Sequence, residues 1–361
     1  MVITTERPAT AEELASTLWE ADQAGQKVAI IGGGRASGMG GPLERADLRL
    51  ETSRLNRVLE HSQADLTCTV EAGVTLEALQ EHLGKAGQFV PLDPFNSPGH
   101  TVGGVLAAGW SGPLRLRYGS PREFVIGLRV ALPDGRLAAS GGRVVKNVSG
   151  YDLAKLHLGA LGALGVIVAA SFKVYPRPAH ELTLEARPGG LAAAWREAER
   201  ALALKLPPIA LELSSQAEVR ARLGGNRVAV ERMAEELGWM AGGAARWERD
   251  ARTSSETWAR ISVPPSRLRG ALERLPAAAG WIASPGVGVA HWLDATEAGP
   301  IREARAAAEA AGGSLVLLAG TDELKREVGA WGTPPPTREL MHRLRDAFDP
   351  RRTLNPGRFF V

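Results

Sequence analysis

The sequence predicts an α+β protein of two domains, the first holding a ligand against bare backbone and the second a smaller α+β layer. Three observations carry this. Short β-type runs alternate with amphipathic helical runs over 361 residues, a length that suits two domains. A strand-like run at residues 27–31 (KVAII) feeds straight into the loop GGGRASGMGG. Residues 91–119 (PLDPFNSPGHTVGGVLAAGWSGPLRLRYG) are almost wholly small or turn-forming, and glycine lets backbone N–H groups approach a bulky ligand closely.

In chain order, residues 10–24 predict a helix: Thr10 caps it, Glu13 stands three residues on, and Leu14, Leu18 and Ala21 recur at helical spacing. Gly25 ends it, and residues 27–31 are a short buried strand. The glycine loop that follows is a phosphate-binding arrangement of neither common kind. No Gly-Lys-Ser/Thr follows it, and G-x-G-x-x-G does not occur in it. Taken alone, the triplet Gly32, Gly33, Gly34 also fits a plain glycine-rich hairpin.

Residues 48–74 read as strand, turn and strand, with alternation over 65–71. A helix follows at 75–87, with Leu76, Leu79 and Leu83 on one face. Residues 124–132 form a strand ending in the turn PDGR, and residues 142–158 lead into a glycine loop and a strong strand at 166–174. Residues 180–335 change character to short strands between amphipathic helices, with buried strands at 287–292 and 315–319. Pro334, Pro335 and Pro336 make a stiff connector, after which ELMHRLRDAFDP is a helix returning to the first domain. The expected division is therefore 1–178, 179–335 and a returning tail at 336–361.

Composition excludes several classes. A hydrophobic content of 44% with 23% charged residues is that of a soluble globular protein. The net charge of +3 comes without a basic block, so nucleic acid is not an expected partner. No run approaches the roughly 18 apolar residues of a membrane span. The expected location is cytoplasmic, with membrane contact only through partners. Cys68 is the single cysteine, which excludes an internal disulfide and an iron–sulfur cluster held by this chain's own thiolates, typically about four.

The order GGG-x-x-S, EAGV, PLDP, TVGG, SGP, YG, DG, KNVSGYD and G-x-x-G-x-L-G-V-I resembles the flavin domain of the vanillyl-alcohol oxidase / PCMH-type FAD-binding superfamily. Within it, KNVSGYDL, TVGGVLAAGWSGP and the closing FDPRRTLNPGRFF are similar to the E-type FAD-binding subunits of bacterial glycolate oxidases. The resemblance covers residues 1–178 and 338–361 and is loose between them. It implies a two-subdomain PCMH-type FAD-binding domain with an α+β cap.

It also implies a set of FAD contacts. The backbone of Gly32, Gly33, Gly34, Arg35, Ala36 and Ser37 would hold the pyrophosphate. Thr101, Val102, Gly103 and Gly104 would lie along pyrophosphate and flavin, with Ser111, Gly112, Tyr118 and Gly119 in the same groove. Gly165 and Ile167 would meet the adenine end, and Asn355 would approach the flavin from the tail. Many relatives tether the flavin through a histidine in or just after the glycine loop. Arg35, Ala36 and Ser37 stand there in this chain, so non-covalent FAD is expected.

Oxidising a 2-hydroxy acid needs a base for the hydroxyl proton and a cation for the carboxylate. Catalytic relatives carry H-x-G-D-G-N-x-H in the cap, and the corresponding GVGVAHWLDA keeps only His291. His291 and His100 are the candidate catalytic residues, each with a purely structural role as the alternative. Arg117 is either an anion anchor or a solvated surface residue.

The resemblance implies an FAD-binding subunit of a glycolate oxidase complex, working with a larger flavin subunit and an iron–sulfur subunit to make glyoxylate. The alternatives are a stand-alone FAD-dependent 2-hydroxy acid dehydrogenase of the D-lactate type, and a non-catalytic assembly subunit. A nucleotide-binding module without redox chemistry is disfavoured by the missing Walker lysine.

Overall fold

A computed structural model describes residues 3–95, 98–142, 152–243 and 257–361. The KNVSGYDL motif falls largely outside them, at residues 146–151. The chain divides into two compact units, one of residues 1–111, 120–177 and 333–361, the other of residues 112–119 and 178–332.

The first unit opens with β1 (Thr4–Glu6), α1 (Ala11–Gln23), β2 (Val28–Ile31) and β3 (Leu48–Glu51). The Thr10 hydroxyl accepts from the Glu13 N–H at 3.0 Å, and the Glu13 carboxylate accepts in return from the Ala9 N–H at 2.7 Å. Strands β1, β3 and β2 form a parallel sheet in that order. Buried Leu14 and Leu18 of α1 pack in one cluster with Val28, Leu48, Leu50 and Val166. Each such buried aliphatic side chain contributes about 1.5–3 kcal/mol. That packing fixes the strand end from which the glycine loop departs.

There follow β4 (Val58–Ser62), β5 (Thr67–Glu71), α2 (Leu76–Gly84), β6 (Gln88–Phe89) and α3 (Val102–Ala108). The short α4 (Arg115–Tyr118) belongs to the second unit. The first unit resumes with α5 (Pro121–Phe124), β7 (Val125–Ala131), β8 (Leu137–Gly141), α6 (Ala154–His157), β9 (Val166–Lys173) and β10 (Tyr175–Pro176). An antiparallel sheet runs β4-β5-β9-β7-β8, and β6 pairs with β10.

The second unit contains β11 (His180–Ala186), α7 (Leu191–Leu202), β12 (Ala210–Ser214), β13 (Val219–Gly225), α8 (Arg227–Leu237) and β14 (Met240–Ala241). It continues with β15 (Trp258–Ser262), α9 (Leu268–Leu272), β16 (Gly280–Ser284), β17 (Val289–Leu293), α10 (Ala298–Ala310), β18 (Ser314–Ala319) and α11 (Asp322–Val328). Its antiparallel sheet runs β14-β11-β13-β12-β16-β17-β15-β18. Strand alternation puts Leu211, Ala259, Ile261, Ala283, Ala290 and Trp292 into one core with helix residues such as Trp195 and Ile301.

The chain ends on α12 (Arg338–Phe348) and a tail within the first unit. The sequence predicts a first domain unbroken to residue 178. Residues 112–119 instead group with the second unit, because Leu116 packs against that unit's core.

Candidate cofactor site

The first unit carries a cleft with about 700 Å³ of empty space, part of it open to solvent. Its wall begins where β2 ends. Ile30, Gly32, Gly33, Gly34, Arg35, Ala36 and Ser37 line one side, and His100, Thr101, Gly103 and Gly104 the other. Leu161, Gly162, Gly165, Val166 and Ile167 form a third wall, and Asn355 and Arg358 reach it from the tail.

Thr101 joins two of these walls. It caps α3, its hydroxyl accepting from the Gly104 N–H at 3.3 Å and from the Gly33 N–H at 3.2 Å. The start of α3 is fixed from behind, since Val102 and Gly103 donate to the Val74 and Ala72 carbonyls at 2.9 and 2.7 Å. The approach is so close that a Cβ on Gly33 would lie 1.8 Å from the Gly99 carbonyl oxygen. Only glycine fits there.

The chemistry of the lining is that of an anion site. Arg35 and Arg358 are its charged side chains, and the described lining holds no Asp or Glu. No hydrogen bond among the described residues engages the N–H groups of Gly34, Arg35 and Ala36, so they are available to phosphate oxygens. An FAD pyrophosphate fits these donors.

The expected residues separate into two sets. Gly32, Gly33, Gly34, Arg35, Ala36, Ser37, Thr101, Gly103, Gly104, Gly165, Ile167 and Asn355 line this cleft together. Val102 is fully buried in α3 and does not line it. Ser111 stands outside the lining, and Gly112, Tyr118 and Gly119 belong to the second unit on and beside α4. Arg117, also on α4, is exposed.

His100 lines the cleft but is held in place, with Nε2 3.0 Å from the Phe95 carbonyl oxygen and its ring edge-on to Trp110 at 5.0 Å. His291 lies in the second unit, buried on β17, its ring 5.3 Å from that of Trp258.

Two groups that sequence reasoning passed over stand out. Arg260 is directly opposite His291 in the register of β15 and β17, and its Nε is buried with no hydrogen-bond partner among the described residues. Burial, then the charge of Arg115, pushes its pKa down. The signal was an arginine alternating with Ala259 and Ile261 in an apolar strand. His157 is the other: burial lowers its pKa to about 4, and its ring stands edge-on to Phe348 at 5.7 Å.

Comparison with known proteins bears on this cleft. Residues 5–141 match a protein family described as FAD binding domain. Over 162 residues the chain is 35% identical to glycolate oxidase subunit GlcD of Bacillus subtilis, covering 45% of this chain and 34% of that protein. Over 128 residues it is 39% identical to glycolate oxidase subunit GlcE of Escherichia coli, covering 35% of this chain and 37% of that protein. A D-lactate dehydrogenase of Archaeoglobus fulgidus is 31% identical over 226 residues, 63% of this chain and 50% of that one. The chain thus spans half or less of the length of these relatives, two of them named as glycolate oxidase subunits and one as a D-lactate dehydrogenase.

A solved structure of alkyldihydroxyacetonephosphate synthase superposes with a TM-score of 0.69 at 16% identity, covering 98% of this chain and 75% of that one. The fold is therefore the α+β PCMH-type fold, and the glycine-loop and α3 sides of the cleft fall within the residues that match the FAD binding domain family. No helix among the described residues is long and apolar enough to cross a membrane.

Proposed function

We propose that this chain is the FAD-binding component of a glycolate-oxidising complex and works beside a larger flavin subunit and an iron–sulfur subunit. The observation that carries the reading is the cleft itself: backbone donors at Gly34, Arg35 and Ala36, with two arginines and no carboxylate among the described lining residues, in a unit much of which matches an FAD binding domain family. The names of two relatives, both glycolate oxidase subunits, supply the substrate class.

Bound FAD would supply a two-electron acceptor for the carbon–hydrogen bond of a 2-hydroxy acid. This chain's residues do the holding. The loop N–H groups bind the pyrophosphate, Arg35 and Arg358 balance its charge, and Thr101 fixes the two facing walls. Attachment is non-covalent, since the loop offers no histidine and burial pushes the Cys68 thiol up to about 12, away from a reactive thiolate. With a single cysteine in the chain, a cluster that carries electrons onward belongs to a partner.

A second reading has its own support: this chain oxidises the hydroxy acid itself. A ring nitrogen of His291 would take the hydroxyl proton, and neighbouring Arg260 would hold the carboxylate. A D-lactate dehydrogenase among the relatives fits this reading.

Anaerobic addition of glycolate or D-lactate to the FAD-loaded chain separates the two. Flavin that stays oxidised until the partner subunits are added supports the first reading. Flavin that bleaches in the isolated chain supports the second and overturns the first.

A further inference from the structure

The C-terminal tail is built into the wall of the cleft. Asn355 ties two cleft walls together: its Oδ1 accepts from the Ile30 N–H at 2.9 Å, and its Nδ2 donates to the Leu161 carbonyl at 2.7 Å. Its own N–H donates to the Val28 carbonyl at 2.9 Å. Three residues on, the Arg358 guanidinium reaches the loop. It donates to the Ala36 carbonyl at 2.9 Å and to the Ser37 carbonyl as well. The two backbones also bond directly, the Gly41 N–H to the Arg358 carbonyl at 3.0 Å and the Glu44 N–H to the Pro356 carbonyl at 3.1 Å.

A peptide unit is rigid, so Arg358 fixes the planes of the 36–37 and 37–38 peptides, and the Ser37 N–H carried by the first of them donates back to the Gly34 carbonyl at 3.2 Å, closing the turn that carries the Gly34, Arg35 and Ala36 donors. Arg358 grips two consecutive carbonyls of the loop that lines the cleft. A planar guanidinium does this with two separately directed donors, whereas a lysine ammonium is a point charge on a flexible stem. The same side chain is one of only two charged groups in the described lining.

We propose that Arg358 is a positioning residue for the dinucleotide: it sets the shape of the Gly34–Ser37 turn that receives the pyrophosphate and couples docking of the tail to occupancy of the cleft. The inference rests on FAD as the ligand of this cleft. The coupling is reciprocal, as linkage requires. A docked tail raises affinity for FAD, and bound FAD holds the tail down.

The test uses the full chain, with wild type, Arg358→Ala, Arg358→Lys and, as a control, the exposed Arg343→Ala. FAD affinity is read by flavin fluorescence, and amide hydrogen exchange is followed in loop peptides (residues 32–41) and tail peptides (residues 352–361). Arg358→Ala is expected to weaken FAD binding about 5- to 150-fold, the usual range of such couplings. It should also speed exchange in the loop of the FAD-free protein. Arg358→Lys should recover only a minor part of both, and Arg343→Ala should match wild type. FAD added to wild type should slow exchange in the tail.

Affinity within twofold of wild type in Arg358→Ala would overturn the proposal, as would full recovery by lysine, which would reduce the role to charge alone. A wild-type chain that binds no FAD would overturn the cofactor reading instead. Unchanged loop exchange in FAD-free Arg358→Ala would then still sink the positioning role by itself.

Discussion

Arg260 and His291 stand directly opposite each other on the neighbouring strands β15 and β17, on the sheet face turned away from Ala259, Ile261, Ala290 and Trp292. Directly opposite residues on one face have Cβ atoms roughly 4.5–5.5 Å apart. An arginine so placed, with a buried Nε and no partner for it among the described residues, suits an anion beside a histidine.

If this chain turns over a hydroxy acid, His291→Asn should lower kcat by about 10²–10⁴, the usual worth of a positioned general base. Arg260→Gln should act chiefly on KM, raising it about tenfold or more. Steady-state kinetics with an artificial electron acceptor checks both, with FAD content measured in parallel. Both variants should retain wild-type FAD, because neither residue lines the cleft of the first unit.

Thr101→Val should weaken FAD binding. The substitution removes the acceptor for the Gly33 and Gly104 N–H groups. Gly33 is exposed and Gly104 half-buried, so the cost is that of a lost helix cap and loop tether, about 0.5–2 kcal/mol, and about 1.4 kcal/mol is tenfold in affinity. Isothermal titration with FAD should show a loss of about tenfold.

Gly33→Ala should abolish FAD retention while leaving the fold in place. Its Cβ would meet the Gly99 carbonyl at 1.8 Å, which forces the loop away from the 99–101 backbone that leads into α3, yet neither residue belongs to the buried core. The ratio of flavin to protein absorbance after desalting should fall to background, with a far-UV circular dichroism spectrum like that of wild type.

Stability should fall between pH 6.5 and 4 partly through His157. Burial lowers its folded pKa to about 4 from an unfolded value near 6.5, so across that window the unfolded chain binds the proton and the folded chain does not. Stability therefore rises with pH there, and what His157 contributes is lost as pH falls, on the order of 3 kcal/mol in all. Urea melts at pH 7 and pH 5 should show a smaller difference for His157→Leu than for wild type.

Much of the fold could be read from local sequence. Thr10 with Glu13 and the Leu14–Leu18 spacing gave α1 within a residue at each end, because capping and amphipathic packing are both local. Helix α3 was not legible. Val102–Ala108 (VGGVLAA) is small and apolar all round with no polar face, and it is helical because Thr101 caps it and the 72–74 backbone holds its first turn.

The glycine loop announced itself, whereas the tail that braces it did not. Arg358 meets Ala36 across 322 residues of chain, which only tertiary structure can bring about. The pairing of Arg260 with His291 likewise depends on the strand order β16-β17-β15, and no spacing in the sequence encodes it.

The cleft between the glycine loop and Thr101 is proposed to hold FAD without a covalent bond. The most direct measurement is the absorption spectrum of the purified chain after incubation with FAD, desalting and acid precipitation. The expected result is a yellow protein with about one flavin per chain, all of it released to the supernatant by acid, and a colourless pellet. A colourless protein after loading, or flavin that stays with the pellet, would contradict it.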